Sequence, residues 1–395
     1  MTTLSLSTAD LPIFFEARHA ALAARLTPDG LAELRGELGA ATTAAAMGKL
    51  GLYAHLVPEA LGGAAAGRPA DPAYIDVRAL VLIREALGQV SPLADGIFAV
   101  QGLGSYPVVL AGSEAQRRAL LPGVLTGRRL GAFALTEPEA GRDVASLRAR
   151  ARRGGGGWVL EGDKTLISNA PIADHHVVFA NADPGAGRRG ITAFLVERGA
   201  PGLSVEPLPM SIPHPIGKLR LEGCRVPDDA IIGEVGGGFR LAMETLDAFR
   251  ISVGAAANGM AAAALRDAVA HVRRRRQFGA PLSDQQIVRA YLAEMATELD
   301  AARLLVARAA HLRDTGGGRV STEAAMAKMY ATEAAQRIID RAVQLHGGAG
   351  VMEGTEVERL YREIRPLRIY EGTTEIQKLI IAKGLLDRAV AEEKA

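Results

Sequence analysis

The chain has a single cysteine, Cys224, in 395 residues, so no internal disulfide can form and a reducing compartment is compatible. No histidine stands near that thiol, which reads as structural rather than reactive. An excess of either charge is also missing: 46 Lys and Arg face 44 Asp and Glu, for a net charge of +2. The two signs are interspersed, which excludes the broad basic surface that a nucleic-acid partner requires. The one basic cluster, Arg273 to Arg276, reads by itself as a solvated helix end. No apolar run reaches the roughly 18 residues that span a bilayer. No basic stretch leads into an apolar one at the N-terminus, so a cytoplasmic protein without a membrane partner is expected. Strand–helix alternation is absent, and no GxGxxG follows a strand. Any cofactor must therefore be held by something other than a nucleotide-binding parallel sheet. The adjacent pair His175-His176 falls on an expected strand and points to opposite faces, so no metal site is expected there.

What is present suits a globular chain with a large core: 48% apolar and 23% charged residues. Residues 1–130 read as a helical domain, Ala- and Leu-rich with apolar residues at helical spacing. Thr27-Pro28 and Asp71-Pro72 each set a capping side chain before a proline, the order of a helix start. Ser113 with Gln116 makes a capping box. Residues 131–235 read as a β domain of short apolar runs, such as Trp158 to Leu160, Val177 to Ala180 and Ile191 to Val196. Gly154 to Gly157 read as a hairpin tip. Residues 236–395 return to helical spacing, with long helices expected over about 238–275, 283–315 and 321–345 and a fourth after Glu371. Ser283 with Gln286 and Thr374 with Gln377 read as further capping boxes, and the four helices as an antiparallel bundle. The fold class is thus mainly α with a central β domain.

Several segments carry chemistry. Arg365-Pro366-Leu367-Arg368-Ile369-Tyr370-Glu371-Gly372-Thr373 runs into the last helix, with Pro366 expected to keep the preceding chain extended. That leaves Glu371 at a loop-to-helix junction beside a glycine, near the free N–H groups of a helix start. Alone, this is an ordinary glutamate favoured by the helix dipole. Four other segments accompany it: Val57-Pro58-Glu59-Ala60-Leu61-Gly62-Gly63, Ala134-Leu135-Thr136-Glu137-Pro138-Glu139-Ala140-Gly141-Arg142-Asp143, Arg275-Arg276-Gln277-Phe278-Gly279 and Gln344-Leu345-His346-Gly347-Gly348-Ala349-Gly350. In this order and at these separations they resemble the signature segments of the acyl-CoA dehydrogenase family, from about Leu34 to Leu386.

The resemblance implies a helical N-terminal domain, a β-barrel-like middle domain and a C-terminal four-helix bundle. It also implies FAD between the last two, with part of the site supplied by a second subunit of a dimer or tetramer. Phe133, Leu135 and Thr136 correspond to a strand facing the flavin, and Leu166, Ile167 and Ser168 to its second wall. Arg275 corresponds to the arginine that pairs with the pyrophosphate, where a planar cation meets two oxygens. Phe278, Gln286, Gln344, Gly347 and Gly348 are expected at the same end of the cofactor, and Thr373 and Glu375 at its adenosine part. Asp247 and Arg250 match positions near the substrate, beside Gly372 and Arg142. The implied reaction converts an acyl-CoA into a trans-2-enoyl-CoA, Glu371 taking the α-proton and flavin N5 the β-hydride. An electron-transfer flavoprotein is the implied acceptor.

Two positions depart from the pattern. Arg142 stands where the family usually has serine, which points either to a solvated side chain or to an unusual acyl carrier, such as a carrier-protein thioester. Leu166 stands where many members have a tryptophan over the flavin edge, and a smaller cover suits an oxidase or monooxygenase. A catalytically silent relative is disfavoured because the base and the cofactor segments are all present.

Overall fold

The computed structural model describes residues 8, 11–36, 38–66, 71, 73–141, 143–316 and 320–393. Its helices are α1 (Ala17–Arg25), α2 (Ala40–Lys49), α3 (Val77–Val90), α4 (Pro92–Ala111), α5 (Glu114–Leu125), α6 (Gly238–Arg274), α7 (Gln286–Thr315), α8 (Ser321–His346), α9 (Glu356–Glu363) and α10 (Thr374–Glu392). The strands are β1 (Gly131–Ala134), β2 (Arg150–Gly154), β3 (Gly157–Ser168), β4 (His175–Asn181), β5 (Ile191–Glu197), β6 (Leu203–Pro207), β7 (Ile216–Pro227) and β8 (Ile231–Ile232), with β9 (Arg276–Gln277) and β10 (Ala280–Pro281) forming a separate hairpin. The architecture is the one expected: N-terminal helices, a central sheet and a C-terminal helix bundle.

Its residues gather into two compact units. One holds the described residues of Met1–Arg35, Val77–Pro92 and Arg250–Ala395; the other holds Gly36–Asp76 and Leu93–Phe249. The first unit is helical, and its interior is built largely of small side chains: Ala255, Ala256, Ala261, Ala264, Ala331, Ala334 and Ala335 are all at most 1% exposed. Small residues let helix backbones approach closely, and α3 and α6 use this fully. A Cβ on Gly259 would lie 2.1 Å from the Glu85 carbonyl oxygen, and one on Gly88 would lie 2.4 Å from that of Ala256. Gly259→Ala is expected to destabilise the protein by about 1–3 kcal/mol through overpacking. That exceeds the roughly 1 kcal/mol an alanine gains over glycine in a helix. A urea midpoint at or above that of the wild type would contradict this.

In the second unit the strands pair in the order β6-β7-β3-β2-β4-β5-β8, and β1 adds to β4 in parallel. Gly155 and Gly156, at φ 68° and 81°, close the β2–β3 hairpin, since both turn positions need a positive φ. The core lies among Ala132, Leu160, Val178, Phe194 and Leu219. Cys224 is fully buried on β7, and burial pushes its thiol up to about 11. His175 and His176 are buried on β4, and burial lowers them to about 3 and about 4, leaving both rings neutral.

Local signals held where they were self-contained. The Ser113–Gln116 box forms in both directions, at 3.1 and 2.9 Å. Others were overridden. Thr27 caps a single turn, accepting from the Gly30 N–H at 3.1 Å, and only a short 3-10 turn follows at Ala32–Leu34. Asp71 accepts from the Ala73 N–H at 3.2 Å in a local turn, and α3 starts later, at Val77; Pro72 lies outside the described residues. The cap of α3 comes instead from a distant carboxylate: Asp314 accepts from the Val77 and Arg78 N–H groups at 3.1 and 2.9 Å. Ser283 sits in a 3-10 turn, and α7 begins at Gln286 with no side-chain cap, so that capping box does not form. The expectation that no apolar run matches a membrane span also needs correcting. Pro92–Ala111 and Gly238–Arg274 pass by length and composition, but 83% and 100% of their apolar windows are buried, as in core helices.

Candidate active site

Among the described residues, four other than glycine have a positive φ: Leu166 (55°), Asn169 (60°), Phe278 (51°) and Glu371 (51°). The left-handed region costs an L-residue roughly 1–2 kcal/mol, and such strain persists only where the surroundings over-determine it. Leu166, Phe278 and Glu371 are residues singled out above for their chemistry, and Asn169 follows Ser168 directly.

Glu371 lies on a turn between a 3-10 segment, Arg365–Arg368, and α10. The chain before it is therefore coiled rather than extended, because Pro366 occupies the first turn, where no N–H is needed. Glu371 and Gly372 (φ 92°) form the left-handed corner. Two consecutive carbonyl oxygens there are gripped from several sides. Lys328 Nζ of α8 donates to the Gly372 oxygen at 2.8 Å, and Gln377 Nε2 donates to the same oxygen at 2.9 Å. Gln377 Nε2 also reaches the Glu371 oxygen at 3.4 Å, as does Arg250 Nε of α6. On either side of the corner, Glu333 of α8 takes Arg368 Nε at 2.9 Å and the Thr374 hydroxyl at 2.6 Å. The Thr374–Gln377 capping box thus does not form, since both side chains are committed to the corner and its anchor.

Lys328, Glu333 and Gln377 were missed in these roles. Lys328 carries a usable signal: it falls at a buried position among Ala324, Ala325, Ala327 and Ala331, and it is 0% exposed. Burial pushes its ammonium down to about 8, opposed by the negative charge of Glu371, while Arg250 lowers it further.

A second group lies at the ends of α6 and α8. The rings of His271 and His346 lie with centroids 4.2 Å apart and planes tilted by 32°, and His346 Nε2 meets Asp267 Oδ2 at 3.3 Å, joining the two helix ends. Arg275 follows α6 directly, and Gly347 and Gly348 follow α8. The β9–β10 hairpin puts Phe278 and Gly279, both at positive φ, at its two-residue tip. Phe278 is 94% exposed there, a strained aromatic held out from the chain. Gly347 has φ 59° and ψ −139°, a glycine conformation in which a Cβ would meet nothing within 4 Å. Gln286, Gln344 and Glu375 are exposed, and the hydroxyl oxygen of Thr373 is buried without a hydrogen-bond partner among the described residues.

The sheet unit holds the third group. Phe133 lies on β1, with Leu135 and Thr136 just beyond it. Lys164 Nζ donates to the Leu135 oxygen at 3.2 Å, and the Thr165 N–H donates to the Thr136 oxygen at 3.0 Å. These bonds bring the 133–136 and 164–168 segments together. A register shift between Lys164 and Ile167 bulges β3 and leaves Leu166 61% exposed, a common device beside functional sites. Ile167 is buried, and Ser168 Oγ lies 2.8 Å from Nε2 of His214, whose ring burial lowers to about 4. Gly96 leaves room for that ring, since its Cβ would lie 2.8 Å from His214 Cε1. Asp247 is half-buried on α6, three residues before Arg250. Arg142 lies outside the described residues.

Comparison with known proteins agrees along the chain. The models of the acyl-CoA dehydrogenase N-terminal, middle and C-terminal domains match residues 14–128, 132–224 and 236–386. The chain is 41% identical to the human mitochondrial short-chain specific acyl-CoA dehydrogenase over 344 residues, covering 86% of this chain and 81% of that protein. It is 37% identical over 350 residues to the Acetobacterium woodii caffeyl-CoA reductase-Etf complex subunit CarC, covering 87% and 89%. The structure of butyryl-CoA dehydrogenase from Megasphaera elsdenii superimposes with a TM-score of 0.83 at 32% identity, covering 98% of this chain and 100% of that one.

Proposed function

The chain belongs to the acyl-CoA dehydrogenase family, and from that premise we propose that it catalyses α,β-dehydrogenation of an acyl thioester with Glu371 as the base. It is an FAD-dependent oxidoreductase of that superfamily. The observation that carries the proposal is the corner at Glu371: a carboxylate on a left-handed turn, its carbonyls held by Lys328, Gln377 and Arg250. Strain sustained by convergent donors marks a side chain whose position matters more than its local stability.

The α-proton of a thioester is weakly acidic, so a base must be placed with care and shielded from water. Glu371 is half-buried, and a substrate covering it would remove the remaining solvent and strengthen its basicity. Arg250, Asp247 and Gly372 are the residues proposed to meet the substrate, and donors on the thioester oxygen would stabilise the developing enolate.

The residues present fit FAD. Gly347 opens a close backbone approach, the orphan Thr373 hydroxyl awaits a polar partner, and Phe278 offers an uncovered aromatic face. Arg275, Phe278, Gln286, Gln344, Gly347, Gly348, Thr373 and Glu375 would hold its ADP portion, and Phe133, Leu135, Thr136, Leu166, Ile167 and Ser168 would wall the flavin. When bound, the flavin supplies the electron sink for the β-hydrogen. An electron-transfer flavoprotein is the proposed acceptor, and a relative named as part of an Etf complex supports it. A dimer or tetramer is proposed because α10 leaves Leu379, Leu385 and Leu386 more than 60% exposed in a single chain.

Anaerobic addition of acyl-CoAs of varied length and branching to the yellow protein is expected to bleach the flavin with one class, and so to name it. Bleaching by none would overturn the acyl-CoA reading in favour of a carrier-protein thioester. Rapid reoxidation in air would favour the oxidase reading, for which the exposed Leu166 is the supporting feature.

A further inference from the structure

We propose that Lys328 is a positioning residue for the reaction: its buried ammonium locks the Glu371–Gly372 corner from behind and keeps the base aimed and ionised. The inference rests on the reading of Glu371 as the base. Lys328 is 0% exposed, about two turns into the alanine-rich α8, and its ammonium makes a single hydrogen bond among the described residues, to the Gly372 oxygen at 2.8 Å. Two of its three N–H groups thus go without an acceptor among the described residues, an arrangement that a lysine serving only to fill space would not retain, since a methionine fills the same volume without a charge. The bond it does make is charge-assisted and falls on the carbonyl directly after the strained residue. Gln377 holds the same oxygen from α10, so the peptide cannot rotate without breaking both bonds.

Around Lys328 stand Glu371 on the turn, Arg250 on α6, Glu333 on α8 itself and Glu375 on α10. Glu371 and Lys328 attract one another, so the cation favours the basic form of the carboxylate. Burial, the largest influence, pushes the ammonium down to about 8. Raising the pH through that value removes the charge, weakens the grip on Gly372 and withdraws the field at Glu371. Flavin reduction in the wild type is therefore expected to slow on the alkaline side.

The test uses the holoenzyme with Lys328→Met, Lys328→Arg and Glu371→Gln, followed by anaerobic stopped-flow from pH 6.5 to 9.5 and by amide hydrogen exchange across residues 371–376. Lys328→Met is expected to keep its flavin and its KM while reducing the flavin up to about 10²-fold more slowly, the loss that follows a misplaced catalytic group. Its exchange across the corner should quicken. Lys328→Arg should recover part of the rate and lose the alkaline fall, because arginine stays charged. Wild-type rate and wild-type exchange in Lys328→Met, with Glu371→Gln inactive, would overturn the positioning role alone. Joint loss of flavin and rate in Lys328→Met, with no recovery in Lys328→Arg, would reduce Lys328 to general structure and overturn it as well. A Glu371→Gln protein as fast as the wild type would remove the base assignment and this proposal together.

Discussion

Glu371→Gln is expected to bind its flavin as the wild type does and to reduce it with substrate about 10²–10⁴-fold more slowly, the range that general-base catalysis contributes. The amide keeps the size of the side chain but cannot accept the α-proton. The corner should keep its turn, because the bonds that Lys328, Gln377 and Arg250 make to the carbonyl oxygens of Glu371 and Gly372 are unchanged by the substitution. The visible spectrum of the oxidised variant should therefore match the wild type, while bleaching under anaerobic substrate all but stops. Unchanged bleaching would mean that another group takes the proton. Loss of the flavin itself would instead mean that the carboxylate is part of the fold.

Lys164→Met should be the most destabilising single change in the sheet unit. Lys164 and Glu137 form an ion pair of 2.7 Å with side chains 0% and 4% exposed. Glu137 also accepts from the Arg148 and Ala149 N–H groups at 2.6 and 3.0 Å, so its carboxylate cannot turn away when the lysine is lost. Removing one partner of a buried pair typically costs about 3–5 kcal/mol. Burial, opposed by the charge and hydrogen bond of Glu137, leaves the ammonium at about 8, so the lysine keeps its charge with the help of that carboxylate. The same ammonium ties the Leu135 oxygen, so flavin affinity should fall together with stability. Chemical denaturation and flavin titration would measure the two. In the double variant Lys164→Met with Glu137→Gln, part of the stability should return, since no uncompensated charge is left. A double variant no better than the single one would show that the hydrogen bonds, and not the charges, carry the effect.

The first prediction begins from a residue whose identity was legible in the sequence and whose surroundings were not; the second begins from Lys164, which the sequence did not single out. Glu371 could be picked out from the Ile369 to Thr373 segment, and Phe278 from the Arg275 to Gly279 segment, because these stretches are contiguous. The long helices were equally legible, since a helical period is written into one stretch of chain. The Ser113–Gln116 box formed because both partners lie within four residues of each other. The Thr374–Gln377 pair has the same spacing and fails as a box, because Glu333 and the carbonyls of the corner offer those side chains better partners. For the same reason the helix start expected near Asp71 appears at Val77, where Asp314 provides the cap from far along the chain.

By itself, then, the sequence determined the order of helices and strands, the hairpin at Gly155 and Gly156, and the segments that bear the chemistry. These follow from local steric preference and from periodicity, which act over a few residues. The tertiary structure alone decided that Glu371, Leu166 and Phe278 adopt left-handed conformations, and that Lys328, 43 residues before Glu371 in the chain, should hold its turn. Strain of that kind is unfavourable in any isolated segment, and it becomes stable only when distant, buried donors meet the same carbonyl oxygens at once.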